Sequence, residues 1–231
     1  MKKVLGVVCA FAMLAGSLLP ARASDMAKMD DRLNSAANVI QEIMATPDKG
    51  IPSSILAGAS CVVVVPAYKK GAFIVGGQYG QGVSTCRTPR GWSAPVFVRL
   101  SGGSFGWQIG GQSTDLVLVA MNQQGLQQML KNKFKIGADA AASAGPVGRN
   151  AQAGTDWKLN AQFLTYSRSK GLFAGLSLDG TVLEQNKDDM MAEYNSAIPF
   201  DTVLRGSTPV PANARRFVST VARYFVVAKS R

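Results

Sequence analysis

Gly91–Leu118, GWSAPVFVRLSGGSFGWQIGGQSTDLVL, decides how the chain folds. Val96, Val98 and Leu100 alternate with Phe97 and Arg99, the period of two expected of a half-buried strand. Glycine at this density inside such runs lets a strand bend, bulge or admit another backbone closely. A second block with the same character runs from Gly145 to Leu183, through GPVGRN and YSRSKGLFAGLSLDGTVL.

Working outward, Cys61–Val65 is an unbroken apolar run suited to a buried strand. Ala72–Tyr79 and Gln81–Arg87 read as two further strands, with Tyr68–Gly71 and Gly80 as turns. Phe105–Ile109 and Leu116–Met121 continue the meander beyond Pro95–Ser101, with Gly110 and Gly111 between them. Lys131–Lys135 begins another extended stretch, and Trp157–Ser167 pairs with Leu172–Leu183 across the turn Arg168–Gly171.

Helical periodicity frames these strands. Met26, Met29, Leu33, Ala37, Ile40 and Met44 recur every three or four residues and predict a helix over 27–45 whose apolar face packs on the core. A short helical turn follows at 53–56, and Asn122 is placed to cap a middle helix reaching Leu130. Residues 202–205 and 213–228 read as helical, with Phe217, Val221, Tyr224 and Phe225 on one face. The expected fold is α+β: a large, mostly antiparallel, strongly curved, barrel-like sheet with N-terminal, middle and C-terminal helices. A doubly wound parallel sheet is excluded because the strand–helix alternation is missing.

The first 23 residues read as a cleaved signal peptide. Met1-Lys2-Lys3 is a basic start, Val4–Leu19 is apolar, and Ala21 and Ala23 are the small residues a signal peptidase reads. Residues 24–231 then form one domain, exported to the periplasm or secreted. Cys9 lies inside the apolar run behind Val8 and is not read as a lipidation site. Export leaves Cys61 and Cys86 as an even pair, a disulfide or two separately buried thiols.

Chemistry-bearing constellations are sparse. The chain has no histidine, which removes Cys-His nucleophiles and most zinc sites. The glycine clusters at Gly76–Gly80 and Gly102–Gly106 precede no helix and no Lys-Ser or Lys-Thr phosphate motif. Asp188 and Asp189 read as solvated charge. No catalytic residue, metal site or cofactor is expected, and the chain is read as a non-enzyme.

The net charge of +11 points to anionic partners, and for an exported chain to lipid headgroups or glycans rather than nucleic acid. Lys69, Lys70, Lys131, Lys133, Lys135, Arg168 and Lys170 fall in expected turns or strand starts, where they could meet phosphate groups at one rim. Alternation puts Lys131, Lys133 and Lys135 on one face if extended.

The stretches Gly91–Pro95, Ser113–Val117, Gly145–Asn150 and Tyr166–Gly180 together resemble the SYLF domain family, over roughly Asp31 to Phe225. The resemblance implies a lipid-binding module, since eukaryotic members bind phosphoinositide-containing membranes and some bind actin. Bacterial members of the family are exported, so actin is not expected as a partner here. The family's membrane contact through a basic N-terminal helix is weakened by Asp30, Asp31 and Glu42, which shifts the expectation toward the lysines named above. An envelope structural or protein-interaction module without lipid specificity remains the alternative.

Overall fold

A computed structural model describes residues 19–45, 50–147, 161–169, 172–175 and 178–226. Its centre is one long two-stranded ribbon. Strand β1 (Cys61–Thr88) runs antiparallel to β3 (Val96–Ala120), from Cys61 opposite Ala120 to Ser84 opposite Val96. Between them β2 (Gly91–Trp92) turns back onto Arg87 and Thr88.

The ribbon folds back on itself. Its ladder slips between Val65 and Tyr68, where Ala67 takes a φ of 50° and its N–H donates to Asp115 Oδ1 at 2.9 Å, and again between Ala72 and Ile74. Such bulges sharpen strand bending. The two arms of β1 therefore meet: Gly82 lies on the Val64 backbone, and Ser84 Oγ donates to Val62 O at 3.0 Å. Cys61 and Cys86 are disulfide-bonded with their Cα atoms 4.0 Å apart.

Each arm grows its own sheet. Against Asp115–Ala120 lies β6 (Phe163–Ser169), flanked by β5 (Ala142–Ala144) in parallel and β7 (Leu172–Gly175) antiparallel. Against Val98–Ser101 lies β8 (Val182–Gln185), followed by β4 (Lys133–Lys135) at the edge. One curled, mostly antiparallel sheet results, a half-barrel whose strands pass between layers at the bend. Phe134 of β4 and Phe163 of β6 stack inside it with ring centroids 5.4 Å apart.

Helices cover the outside. Helix α1 (Leu19–Ala45) buries Met29, Leu33, Ala36, Ala37, Ile40 and Ile43 against β1 and two other helices. The others are α2 (Ser53–Gly58), α3 (Gln123–Met129), α4 (Lys187–Tyr194), α5 (Phe200–Leu204) and α6 (Arg215–Tyr224). The Asn122 side chain caps α3, accepting from Gly125 N at 2.8 Å. Helix α6 buries Phe217 and Val221, while its Arg216 donates to Asn34 Oδ1 at 3.0 Å and Asn38 Oδ1 at 2.5 Å on α1.

The architecture is the α+β, curled, mostly antiparallel fold the sequence predicts, with helices at the start, middle and end. Strand boundaries differ. The three short strands expected over 61–87 are one strand, and so are the three over 95–121. Tyr68–Gly71 and Gly80 are not reversals: glycine let the strand bend and cross itself while the ladder continued. The pairing of β6 with β7 matches the expected hairpin, but Arg168 lies within its ladder opposite Phe173, and β8 is a separate strand on the other arm. The expected strand over 157–160 and the turn residues Lys170 and Gly171 lie outside the described residues, as do residues 1–18 with Cys9.

Candidate functional site

Residues opposite one another in a ladder point to the same face. Across the arm formed by β1, β3, β8 and β4, one such row is Gln81, Arg99, Glu184 and Lys133. The next row on that face is Tyr79, Ser101, Val182 and Lys135. Gly80, Leu100, Leu183 and Phe134 form the alternate row, are buried, and face the core. Alternation thus fixes which side chains this arm offers to solvent.

One end of the face is covered and the other is open. At the covered end Phe97 lies beneath the Arg32 guanidinium, 5.6 Å from its ring centroid. Arg32 comes from α1, bonds Asp189 of α4 and donates to Gln81 Oε1 at 2.6 Å, so it is committed to holding both helices on the sheet. At the open end Tyr79 keeps 44 % of its surface exposed. A groove of about 390 Å³ runs there between α1 and the fold of β1, lined by Lys28, Asp31, Ser35, Ala67, Lys69 and Tyr79.

The cations around this groove differ in how free they are. Lys69 and Lys70 are exposed on β1 just past the bulge. Lys28 pairs with Asp25 at 3.0 Å, but both ends are mostly exposed, which makes the pair weak. Lys133 lies 3.6 Å from Glu184, which also faces Arg99 at 3.8 Å. Lys135 is exposed, and its row places it three strand spacings from Tyr79, roughly 14 Å. Lys28 and Lys69 at the groove and Lys133 and Lys135 at the sheet edge therefore share one side of the molecule.

Other residues singled out by sequence sit elsewhere. Lys131 is exposed in the turn after α3, off the strand that carries Lys133 and Lys135. Arg168 is bound to Glu42 of α1 and to Asp115 of β3, with Nη2 2.6 Å from Asp115 Oδ2, and so ties α1 to the first arm. Lys170 lies outside the described residues. Asp188 is exposed, whereas Asp189 pairs with Arg32. The clusters Gly76–Gly77 and Gly103–Ser104 prove to be ladder partners within the ribbon rather than a loop before a helix, and a Cβ on Gly77 or Gly103 would meet nothing within 4 Å.

Sequence reading missed Tyr79 and Lys28. The sequence pattern ends a strand at Tyr79 before a turn at Gly80, and that hides its place on an open face. Lys28 stands among Asp25, Asp30 and Asp31 on its helix, and that mixed charge hides it in the sequence. The spacing of Tyr79 and Gln81 by two residues was the available signal, once the strand is recognised as continuous.

This arrangement suits reversible contact with anions on a flat or gently curved surface. Lys69, Lys133 and Lys135 stand on strands and Lys28 on α1, Tyr79 lies in the groove beside Lys28 and Lys69, and ammonium groups attract phosphate without needing a deep pocket.

Residues 101–224, more than half of the chain, match the family described as "Ysc84: Las17-binding protein actin regulator". The human SH3 domain-containing YSC84-like protein 1 is 34 % identical over 170 residues, covering 73 % of this chain and 49 % of the relative. SH3 domain-containing protein PJ696.02 of Schizosaccharomyces pombe is 36 % identical over 168 residues, covering 71 % and 39 %. Protein YSC84 of Saccharomyces cerevisiae is 29 % identical over 171 residues, covering 72 % and 36 %. The chain spans half or less of the length of these relatives. With the curled sheet and its three sets of helices in place, the chain belongs to the Ysc84 family, the SYLF domain family.

Proposed function

We propose that the chain is a non-enzymatic binding module for anionic membrane lipids, and that it works outside the cytoplasm after loss of its first 23 residues. The observation that carries this reading is the open face with Lys28, Lys69 and Tyr79 at its groove and Lys133 and Lys135 at its edge. Exposed lysines contribute on the order of 1 kcal/mol each near an anionic surface, and several acting together give useful affinity. Tyr79 adds an amphipathic ring of the kind that settles at the headgroup level. Phosphate-bearing headgroups, including phosphoinositide-like ones, are the chemistry this face fits.

A second reading is favoured by one specific finding. The matched family is described as Las17-binding and actin-regulating, so a protein ligand on the same fold is its natural competitor. Sedimentation of the chain with phosphatidylglycerol vesicles, with neutral phosphatidylcholine vesicles and with filamentous actin separates the two. Lipid binding predicts salt-sensitive pelleting with anionic vesicles alone. Pelleting with actin and with neither vesicle would replace the lipid reading by the protein one.

A further inference from the structure

A second recess lies beyond the far end of β1. It is a half-open recess of about 230 Å³ between Arg87, Thr88 and Pro89 at the end of β1, Leu126 and Leu130 at α3, and Leu204 and Arg205 at the end of α5. Its chemistry is divided. Three leucines supply an apolar floor, two guanidinium groups supply positive charge, and none of the lining residues is acidic.

The state of the two arginines says what is missing. Arg87 is half-buried above Trp92, its guanidinium 4.7 Å from the ring centroid. Nε donates to Ala59 O at 3.0 Å, and Nη2 donates to Phe225 O at 2.9 Å and Leu56 O at 3.4 Å. Those partners are neutral carbonyls. Burial pulls the Arg87 guanidinium below its usual range, the response of a desolvated cation with no counter-charge. Among the described residues, Arg205 has Asp201 at 4.0 Å, with both side chains about half exposed, so it is hardly neutralised.

Local backbone geometry holds the recess in shape. Gly206 has a φ of +82°, and a Cβ there would stand 2.9 Å from Thr88 Cγ2. This close approach seats the end of α5 on the end of β1. Arg90 donates to Gly206 O at 2.9 Å and ties the turn after β1 to the same end of α5.

We infer that this recess binds an aliphatic monocarboxylate, a short- or medium-chain fatty acid, with the carboxylate between Arg87 and Arg205 and the chain on Leu126, Leu130 and Leu204. A carboxylate supplies the charge that the carbonyl partners of Arg87 do not: Nη1 of Arg87, the nitrogen outside those hydrogen bonds, donates to it from one side and the more exposed Arg205 from the other. The volume lies below the roughly 300–1,000 Å³ usual for drug-sized ligands, which suits a single short chain and excludes a two-chain lipid. The site is separate from the lysine face: Arg87 follows Gln81 by six residues of strand, about 20 Å.

Calorimetric titration of the chain with sodium octanoate below its micelle-forming concentration tests the assignment, with octylammonium and octanol as probes of charge and chain. Octanoate is expected to bind at one site, at least about tenfold more tightly than octanol, with no binding of octylammonium. Arg205→Gln should weaken octanoate about tenfold or more, and Leu126→Trp, which fills the recess, should abolish it while the circular dichroism spectrum is retained. If Leu126→Trp does not fold, Arg205→Gln decides alone. Equal binding of the three probes, no binding of octanoate, or unchanged affinity in Arg205→Gln overturns the proposal. Vesicle binding by the lysine face is unaffected by either result, so the two readings fail separately.

Discussion

Gly82 rests on the main chain of Val64: a Cβ on Gly82 would stand 2.3 Å from the Val64 carbonyl oxygen and 2.7 Å from Val65 Cγ2. Backbone cannot yield there without opening the crossing of the two β1 arms. Gly82→Ala is therefore expected to destabilise the fold by about 3 kcal/mol or more, at the upper end of overpacking costs. Gly103→Ala, where a Cβ meets nothing within 4 Å, should change stability by less than about 1 kcal/mol. Urea unfolding of the two variants reads the difference, and equal midpoints would contradict the crossing.

The disulfide between Cys61 and Cys86 closes the same crossing over a sequence separation of 25 residues. Removing it in Cys61→Ala/Cys86→Ala should cost about 3 kcal/mol, by the loop-entropy argument. The double variant should still fold, because Gly82, Ser84 and the ladder hold the arms without it. Unfolding curves of wild type with and without reductant should reproduce the same loss.

Arg32 and Asp189 form a mostly buried ion pair, with 11 % and 20 % of their side-chain surface exposed. Breaking one partner leaves the other charge desolvated, so Asp189→Ala should cost about 3 kcal/mol. Arg32→Met/Asp189→Ala should lose less than the sum of the single changes. A double-mutant cycle showing strict additivity would mean that the pair does not hold α1 and α4 to the sheet.

Glu193 supplies a pH dependence. Burial, and then the neighbouring Asp30 carboxylate, raise its carboxyl above the usual range, against a lowering by Asn213, which donates to Glu193 Oε2 at 3.1 Å and to Asp30 Oδ1 at 2.8 Å. A raised folded-state pKa means that the protonated form is favoured by folding. Its contribution is fully present below the unfolded carboxylate pKa and is lost as pH rises through the raised folded value. Glu193→Gln should therefore be at least as stable as wild type at pH 7, with the advantage disappearing near pH 4. Thermal melts at both pH values check this, and an advantage that grows on acidification would contradict it.

Local pattern reveals the helices other than α4 (Lys187–Tyr194), whose polar start carries no apolar stripe, and the parity of the strands. Val96, Val98 and Leu100 face the core as their alternation requires, and of the three lysines expected on one face Lys133 and Lys135 share it while Lys131 stands off the strand. What escaped was set by contacts between distant residues. Nothing near Gly80 or Gly82 announces that Val64 and Val65 lie against them, so the local pattern makes Gly80 a turn and leaves Gly82 an ordinary strand residue. Nothing near Arg168 announces Glu42 or Asp115, both more than fifty residues away, whose carboxylates together commit this cation to holding α1 on the sheet. The lysine face was half legible for the same reason: its β4 lysines follow from alternation, but their neighbours Tyr79 and Lys28 follow only from the folded ribbon.

The most direct measurement is co-sedimentation of the chain with phosphatidylglycerol vesicles at rising salt, comparing wild type with Lys69→Glu/Lys135→Glu. Both positions are exposed, so the change should leave the melting temperature nearly unaltered. Wild type should pellet with anionic vesicles at low salt, release as salt rises, and bind at least about tenfold more tightly than the charge-reversed variant. Equal pelleting of wild type and variant, or equal binding to neutral and anionic vesicles, would contradict the lipid-binding reading of this face.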